Sequence, residues 1–235
     1  MSLSGSYSPS AFFQAVAVAP PGPLTVRGSF TVTGDLSLNQ PGIRIDGATV
    51  NGVVEFRSGA SGAAFANGAA EGFDVLGADN VTIEGSTFDG QCRRPQNWVI
   101  EEPAGRVPSG TTIRGNTFRN YYVCSDPDAH TEALFIAYSN GGVIEGNTFE
   151  DNGTTAHVFF SFVGANGSLN TGNYARNWCV RSNRFVRAKN PWYSIQFRPE
   201  IPASANIDVD PSSNSSDRAL VGPTPADAAA HTHSC

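Results

Sequence analysis

Hydrophobic and polar residues alternate in short stretches along this chain, and five of the stretches spell one phrase. The copies read Ile45-Asp46-Gly47-Ala48-Thr49-Val50, Ile83-Glu84-Gly85-Ser86-Thr87-Phe88, Ile113-Arg114-Gly115-Asn116-Thr117-Phe118, Ile144-Glu145-Gly146-Asn147-Thr148-Phe149 and Val180-Arg181-Ser182-Asn183-Arg184-Phe185. From Val50 the closing hydrophobic recurs at Phe88, Phe118, Phe149 and Phe185, in steps of 38, 30, 31 and 36 residues. A phrase recurring at such a period marks a repeat architecture, in which each unit buries its apolar face only against its neighbours. Each copy is strand-like, turns at a small residue or Asn, and is strand-like again; Gly and Asn accept the left-handed backbone that sharp corners need. Stacked copies predict a coil of parallel strands.

The second position of the phrase runs Asp46, Glu84, Arg114, Glu145, Arg181. In stacked coils these side chains form an outward column with neighbours about 4.8 Å apart, and from Glu84 on they alternate in sign. Exposed pairs of this kind contribute only ~0–1 kcal/mol each, so their expected use is in fixing register. The ends of a repeat array need covers. Ser8, with the stripe Ala11-Phe12-Phe13-Gln14-Ala15-Val16 behind it, predicts a capped helix in residues 1–23, stopped by Pro20-Pro21-Gly22-Pro23. Repeats fill 24–200. From 201 to 235 the chain is rich in Pro, Ser, Ala and Asp and lacks the phrase, which predicts a C-terminal cover or a flexible tail.

The phrase Ile-x-Gly-Asn-Thr-Phe, with Asn or Asp soon after it, resembles the repeat of right-handed parallel β-helix proteins of the pectate-lyase-like superfamily. The resemblance covers about residues 24–200 and implies an all-β fold, a right-handed parallel β-helix (solenoid) with a short N-terminal capping helix. That architecture carries lyases, hydrolases, epimerases, phage tailspikes and inert surface proteins, so activity has to be argued from a site.

Composition narrows the partners. With 25 glycines, 15 prolines and 15% charged residues, the chain suits many short strands and tight corners, and its formal charge of −6 argues against a nucleic-acid backbone. Lys189 is the only lysine, a bias that suggests a GC-rich bacterial source. No stretch approaches the ~20 apolar residues that span a bilayer, so no membrane insertion is expected. The run Ala11–Ala19 is too short, and lacks the basic flank, for a signal peptide. The four cysteines allow three pairings. Cys92 and Cys124 follow corresponding phrases and suit a bridge between adjacent coils, Cys179 and Cys235 would pin the tail, and the alternative is four buried thiols. A bridged set implies a secreted or cell-surface protein.

The densest polar chemistry lies between the third and fourth copies, from Arg119 through Tyr121, Tyr122, Asp126, Asp128, His130 and Glu132. His130 and Glu132 have strand spacing and can share a face. The run His-Thr-Glu-Ala-Leu-Phe is similar to the His-x-Asp-Gly-Ile-Gln run of many secreted β-helix proteins, carbohydrate-active ones among them, with Glu for Asp, Ala for Gly and Phe for Gln. Ala133–Ile136, His157–Phe160 and Ser194–Phe197 read as one strand position on successive turns, with Asn97–Glu101 ahead of them. Leu134, Val158 and Ile195 would then point inward, His157 and Ser194 would share an outward column, and Phe135, Phe159 and Gln196 the next. Tyr193 would lie beside Glu132, with Lys189, Trp192 and Arg198 on the flank. Loops at 91–108 and 164–172 would form opposing rims. Aromatic faces that stack on sugar rings, with cations that hold uronate carboxylates, make such a strip a glycan-binding candidate.

Three functions fit. A polysaccharide lyase acting on an acidic, uronate-containing glycan by β-elimination would take His130, His157, Lys189 or Tyr122 as base. Arg119, Arg198 or a Ca²⁺ held by Asp126, Asp128 and Glu132 would neutralise the carboxylate. A glycoside hydrolase would pair Asp126 or Asp128 with Glu132. A non-catalytic carbohydrate-binding, surface or tailspike-like protein needs only the solenoid and the aromatic strip. The simpler readings are a turn for Asp126-Pro127-Asp128, a loop charge for Lys189 and a wall residue for His157. Sequence leaves the oligomeric state open.

Overall fold

The computed structural model describes residues 1–18, 23–126, 128–162, 173–187, 193–199, 201–222 and 230–235. Among these the chain is mostly β, with one α-helix, Pro9–Val16, and two parallel sheets of 8 and 15 strands. In the 8-stranded sheet the strands stack in chain order: Thr25–Arg27, Arg44–Asp46, Ala64–Ala66, Thr82–Glu84, Ser109–Arg114, Asn140–Glu145, Arg176–Arg181 and Ile207–Val209. Between successive members the chain crosses to the larger sheet, adds one or two strands there, and returns. That path is consistent with a β-helix.

Register places the phrases on top of one another. Ile45, Phe65, Ile83, Ile113, Ile144, Val180 and Val209 form one buried column. Phe65 and Val209 belong to coils that the phrase does not reveal. The 38-residue step is two turns, 20 residues from Val50 to Ala70 and 18 from Ala70 to Phe88, since Ala70 is the register partner of both. That coil is disguised because Ala70 stands where the others carry Phe or Val, and because Gly and Asn exchange places. Asn67 takes the left-handed backbone (φ 51°), and Gly68 has no room for a Cβ, which would meet Ala48 O at 2.5 Å.

In the fully spelled phrases the two corner residues divide the work. Gly85, Gly115 and Gly146 carry the left-handed conformation, φ 59° to 64°, and the asparagines do not. Asn116, Asn147, Asn183 and Asn214 instead form a ladder through the wall. Each Oδ1 accepts the backbone N–H one coil back, from Ser86, Asn116, Asn147 and Asn183, all at 2.9 Å. Each Nδ2 donates to a carbonyl, of Ile83, Ile113, Ile144 and Val180, at 2.8–2.9 Å. Corners interrupt the strand ladder and would otherwise bury unpaired backbone groups. Beside the ladder Phe88, Phe118, Phe149 and Phe185 stack with centroids 5.3, 4.9 and 5.0 Å apart.

The charged column pairs as its order implies. Arg114 Nε donates to Glu84 Oε2 at 2.8 Å and Arg181 Nε to Glu145 Oε1 at 3.0 Å, with Arg44 adding a second guanidinium to Glu84. The helix starts at a Ser8 cap and buries Phe12 and Val16 against the first coil. At the other end, strands Ile207–Val209, Ser215–Ser216 and Ala219–Gly222 extend both sheets. Residues 230–235 return over them. Cys235 is bonded to Cys179, and the His231 ring stacks on Phe197 at 4.1 Å with Nδ1 3.1 Å from Ile207 O. His231 therefore serves as cover. All four cysteines are paired, Cys92 with Cys124.

What positions the site is a fork in the larger sheet. Thr49–Phe56 and Ala69–Leu76 are unbroken 8-residue strands. After them the sheet splits into one branch of Thr87–Asp89, Thr117–Arg119, Thr148–Glu150, Arg184–Val186 and Ser215–Ser216, and another of Asn97–Ile100, Glu132–Ile136, Ala156–Phe160, Tyr193–Phe197 and Ala219–Gly222. Later coils carry their extra residues at two places: 90–96, 120–131 and 151–155 join the two branches and line up along one edge, while 101–108 and 161–175 join the second branch to the 8-stranded sheet.

Asn147→Ala removes a side chain with two accepting and two donating contacts and leaves the buried Asn116 N–H without its acceptor. At ~1–3 kcal/mol for an unsatisfied buried group, and ~2–4 °C per kcal/mol at this chain length, the variant is expected to melt about 5–10 °C below wild type by calorimetry.

Candidate functional site

The second branch presents its outer face as one column. Asp74, Trp98, Phe135, Phe159 and Gln196 are successive register partners. The Trp98 and Phe135 rings lie 4.7 Å apart at 54°, and the Phe135 and Phe159 rings 5.5 Å apart at 82°. Arg198, exposed two residues past Gln196, places its guanidinium 5.7 Å from the Phe159 ring and 5.7 Å from that of Phe162. The Tyr193 ring lies against Gly222, where a Cβ would meet it at 2.4 Å, so this face depends on a glycine there.

Along the edge where the loops emerge stands a polar cluster. Glu132 is 2% exposed, and its Oε2 has no hydrogen-bond partner. Burial pushes its carboxyl up to about 7, against the opposing pull of a hydrogen bond from Thr155 and the charge of Arg198. Thr155 Oγ1 also meets His130 Nδ1 at 3.2 Å, and His130 itself is exposed. Thr131 and Thr154 tie the flanking loops: Thr131 Oγ1 accepts from Thr154 N at 2.9 Å, and Thr154 Oγ1 donates to Ala129 O. The result is a hydrogen-bonded group, His130–Thr155–Glu132, beside the aromatic column, with the charge of Arg198 acting on Glu132 from past the other end of the strands. Glu132 and Tyr193 stand two coils apart on the same strand position, with the small Ala156 between them.

Several expected members lie elsewhere. His157 and Ser194 do not share an outward column. They sit where the strand rounds its corner, and their side chains turn inward. His157 packs 6.0 Å from Phe149 and 5.8 Å from Phe185, and Ser194 Oγ meets Ser216 Oγ at 2.8 Å. Asn152 Nδ2 lies 3.3 Å from His157 Nδ1, while Nε2 has no partner. Burial holds this imidazole down to about 3, so it is neutral in the folded chain and walled off from any substrate. Tyr121 is fully buried, its hydroxyl donating to Glu71 O at 2.7 Å, and burial raises it far above the ordinary phenol range. Arg119 is on the other branch, Nε bonded to Asp89 Oδ2 at 2.9 Å. Tyr122 is half-buried beside the cluster's loop. Lys189, Trp192 and the 164–172 rim lie outside the described residues.

Asp126 and Asp128 are exposed in a turn in which Asp128 N donates to Asp126 Oδ1 at 3.2 Å, whereas Glu132 is buried. Among the described residues no three His, Cys, Asp or Glu side chains gather where an ion could be held. These three do not fit calcium.

Residues outside the expected set complete the face. Trp98 heads the aromatic column, and the alignment of Asn97–Glu101 with the later strands was the signal for it. Asp74 precedes it, capped by Arg94 and by Trp98 N at 3.0 Å; burial raises its carboxyl against those contacts. Thr155 and Phe162 carried no sequence signal, because only folding brings them to Glu132 and Arg198. Comparison with known protein families, with curated proteins and with solved structures finds no match to this chain.

Glu132 and His157 also set opposed pH slopes. The raised Glu132 carboxyl contributes stability that is present below about 4.5 and lost as pH rises through about 7. The depressed His157 contributes stability that is present above about 6.5 and lost as pH falls toward about 3. Each slope approaches ~1.4 kcal/mol per pH unit, so they cancel between about pH 4.5 and 6.5. Denaturant titrations across that window should show a flat wild type, a stability that rises with pH in Glu132→Gln, and one that falls with pH in His157→Leu.

Proposed function

We propose that this protein holds an acidic, uronate-containing polysaccharide along the outer face of the second branch and cleaves it by β-elimination. The observation that carries the reading is the hydrogen-bonded group His130–Thr155–Glu132 standing beside the Trp98–Phe135–Phe159 column, with Arg198 held over Phe159 at that column's far side. The half-buried Trp98 and Phe135 rings offer stacking surfaces to successive sugars, while the buried Phe159 ring supports the Arg198 guanidinium. The Arg198 guanidinium, held over Phe159, meets the uronate carboxylate and stabilises the charge that builds on it. His130, fixed through Nδ1 by Thr155, has Nε2 free to take the proton at C5. The electron pair left at C5 forms the C4–C5 double bond, and the C4–O bond breaks. The departing oxygen takes a proton from Glu132, whose carboxyl is kept protonated near neutral pH by its burial.

The two parallel sheets with returning coils support a right-handed parallel β-helix of the pectate-lyase-like kind. The two disulfides support a secreted or cell-surface location, since such bonds persist in oxidising compartments. No helix among the described residues is long and apolar enough to cross a membrane. One observation favours a second reading: the Glu132 carboxyl, whose Oε2 has no hydrogen-bond partner, would equally serve as the proton donor of a glycoside hydrolase.

The test is ultraviolet absorbance from unsaturated uronate ends, run on pectate, alginate, chondroitin, hyaluronan and gellan-type polymers with and without chelator. Rising absorbance is expected on one of them. His130→Ala and Arg198→Ala should each reduce the rate at least a hundredfold. Reducing ends appearing without absorbance would replace elimination by hydrolysis. If neither signal appears but retention on a polymer column depends on Trp98, the face binds without cleaving.

A further inference from the structure

A second depression lies on the other branch, separate from the aromatic face. Thr31, Thr49, Thr87, Thr117 and Thr148 belong to one outward column along successive coils, in which Ala69 takes the place between Thr49 and Thr87. A cleft of about 360 Å³ opens here, within the ~300–1,000 Å³ range of ligand sites, and the small Ala69 side chain deepens its floor. A β-bulge between Val50 and Val53 shifts the register beside it and presents the Asn51 side chain at its edge.

The walls of the cleft are fixed in place. Arg93 Nη2 is bonded to Glu71 and, at 2.8 Å, to Gln91 Oε1, on a turn tethered by the Cys92–Cys124 bridge. Arg119 Nε is bonded to Asp89 Oδ2 at 2.9 Å, and Asp89 Oδ1 takes Gln91 N at 2.9 Å and Asn120 Nδ2 at 3.0 Å. The guanidinium of Arg119 thus commits only Nε and keeps both terminal nitrogens available. Among the described residues, the hydroxyls of Thr49 and Thr87 and the side-chain amide of Asn51 make no hydrogen bond. Two cations and two carboxylates cancel, so the cleft offers an anionic ligand no net attraction. It offers rigid donors and acceptors side by side, which suits groups that both donate and accept.

We propose that this cleft is a second carbohydrate site, taking a neutral pyranose unit through its hydroxyls. Its ligand differs in charge from that of the aromatic face, and the site stands whether or not that face cleaves anything. With no aromatic ring on the floor, affinity rests on hydrogen bonds and falls in the millimolar range. A neutral side branch or a neutral residue in a mixed polymer would be held here while acidic units lie on the other face.

The test is a titration of the ¹⁵N-labelled protein, followed by amide shifts, with glucose, galactose, mannose and xylose, and with glucuronate and galacturonate for comparison. At least one neutral sugar should produce saturable shifts at Thr49, Asn51 and Thr87, and the two acids weaker ones. Ala69→Thr restores the side chain carried by both column neighbours, so the spectrum should stay folded while affinity drops at least tenfold. Asn51→Ala, at an exposed edge, should weaken binding severalfold, and Trp98→Ala should leave it unchanged. The proposal is overturned by any of four results: no saturable shifts at those amides with a neutral sugar, tighter binding of the acids there, an unaltered curve in Ala69→Thr, or loss of binding in Trp98→Ala.

Discussion

Everything in this molecule depends on one constraint: at each corner between the two sheets, the backbone groups that leave the strand ladder must still find partners. The asparagines at 116, 147, 183 and 214 meet it by repeating the strand's own pattern with a side chain, one acceptor and one donor per coil. Because each amide bonds to the coil before it, the corners lock in register, and a register fixed at the corner fixes both flanking strands. The phenylalanine stack and the charged column then follow at the same spacing. The ladder begins at Ser86, where Gly68 and Ser86 take over with smaller groups. Those early coils are the ones with short turns, 20 and 18 residues, and unbroken strands in the larger sheet.

The fork in the larger sheet converts this regularity into individuality. A coil can lengthen without disturbing its neighbours only where the chain leaves the stack, and here those places lie between the two branches and between the second branch and the 8-stranded sheet. Loops added between the branches accumulate along a single edge, so residues distant in sequence, such as His130 and Thr155, come together beside strands that barely change. The same edge tethers its loops covalently or by ion pairs: Cys92 to Cys124, Arg93 to Glu71 and Arg94 to Asp74. Rigid walls on both sides of the loops give the molecule two outer faces of different character, one aromatic with a cation at its end, the other hydroxyl-rich and balanced in charge.

Burial decides which polar residues can do chemistry. Glu132 and His157 belong to neighbouring strands and both lie out of solvent, yet their surroundings push them opposite ways. His157 is wedged against phenylalanine rings and is kept neutral as a base, with no path to solvent. Glu132 faces the loop edge, keeps an unused oxygen there, and is kept neutral as an acid within reach of Arg198's charge.

The sequence by itself determined the stacking, because strand register in a coil is a local, repeated property written into each turn. The phrases at 45, 83, 113, 144 and 180, the alternating charges, the helix cap at Ser8 and the alignment of Leu134 with Val158 and Ile195 could all be read directly. Where the code was rewritten, as in Phe65-Ala66-Asn67-Gly68-Ala69-Ala70, the coil disappeared from view although it packs in the same register. Only the tertiary structure decided which way side chains turn at the corners. Period-two alternation holds along a straight strand and fails where the chain bends, so His157 went inside and Glu132 went to the edge. It also decided that Tyr121 is core and that Arg119 serves the other branch. It assigned Asp126 and Asp128 to a turn, because a loop's path is set by contacts with coils 20 to 40 residues away and not by its own pattern.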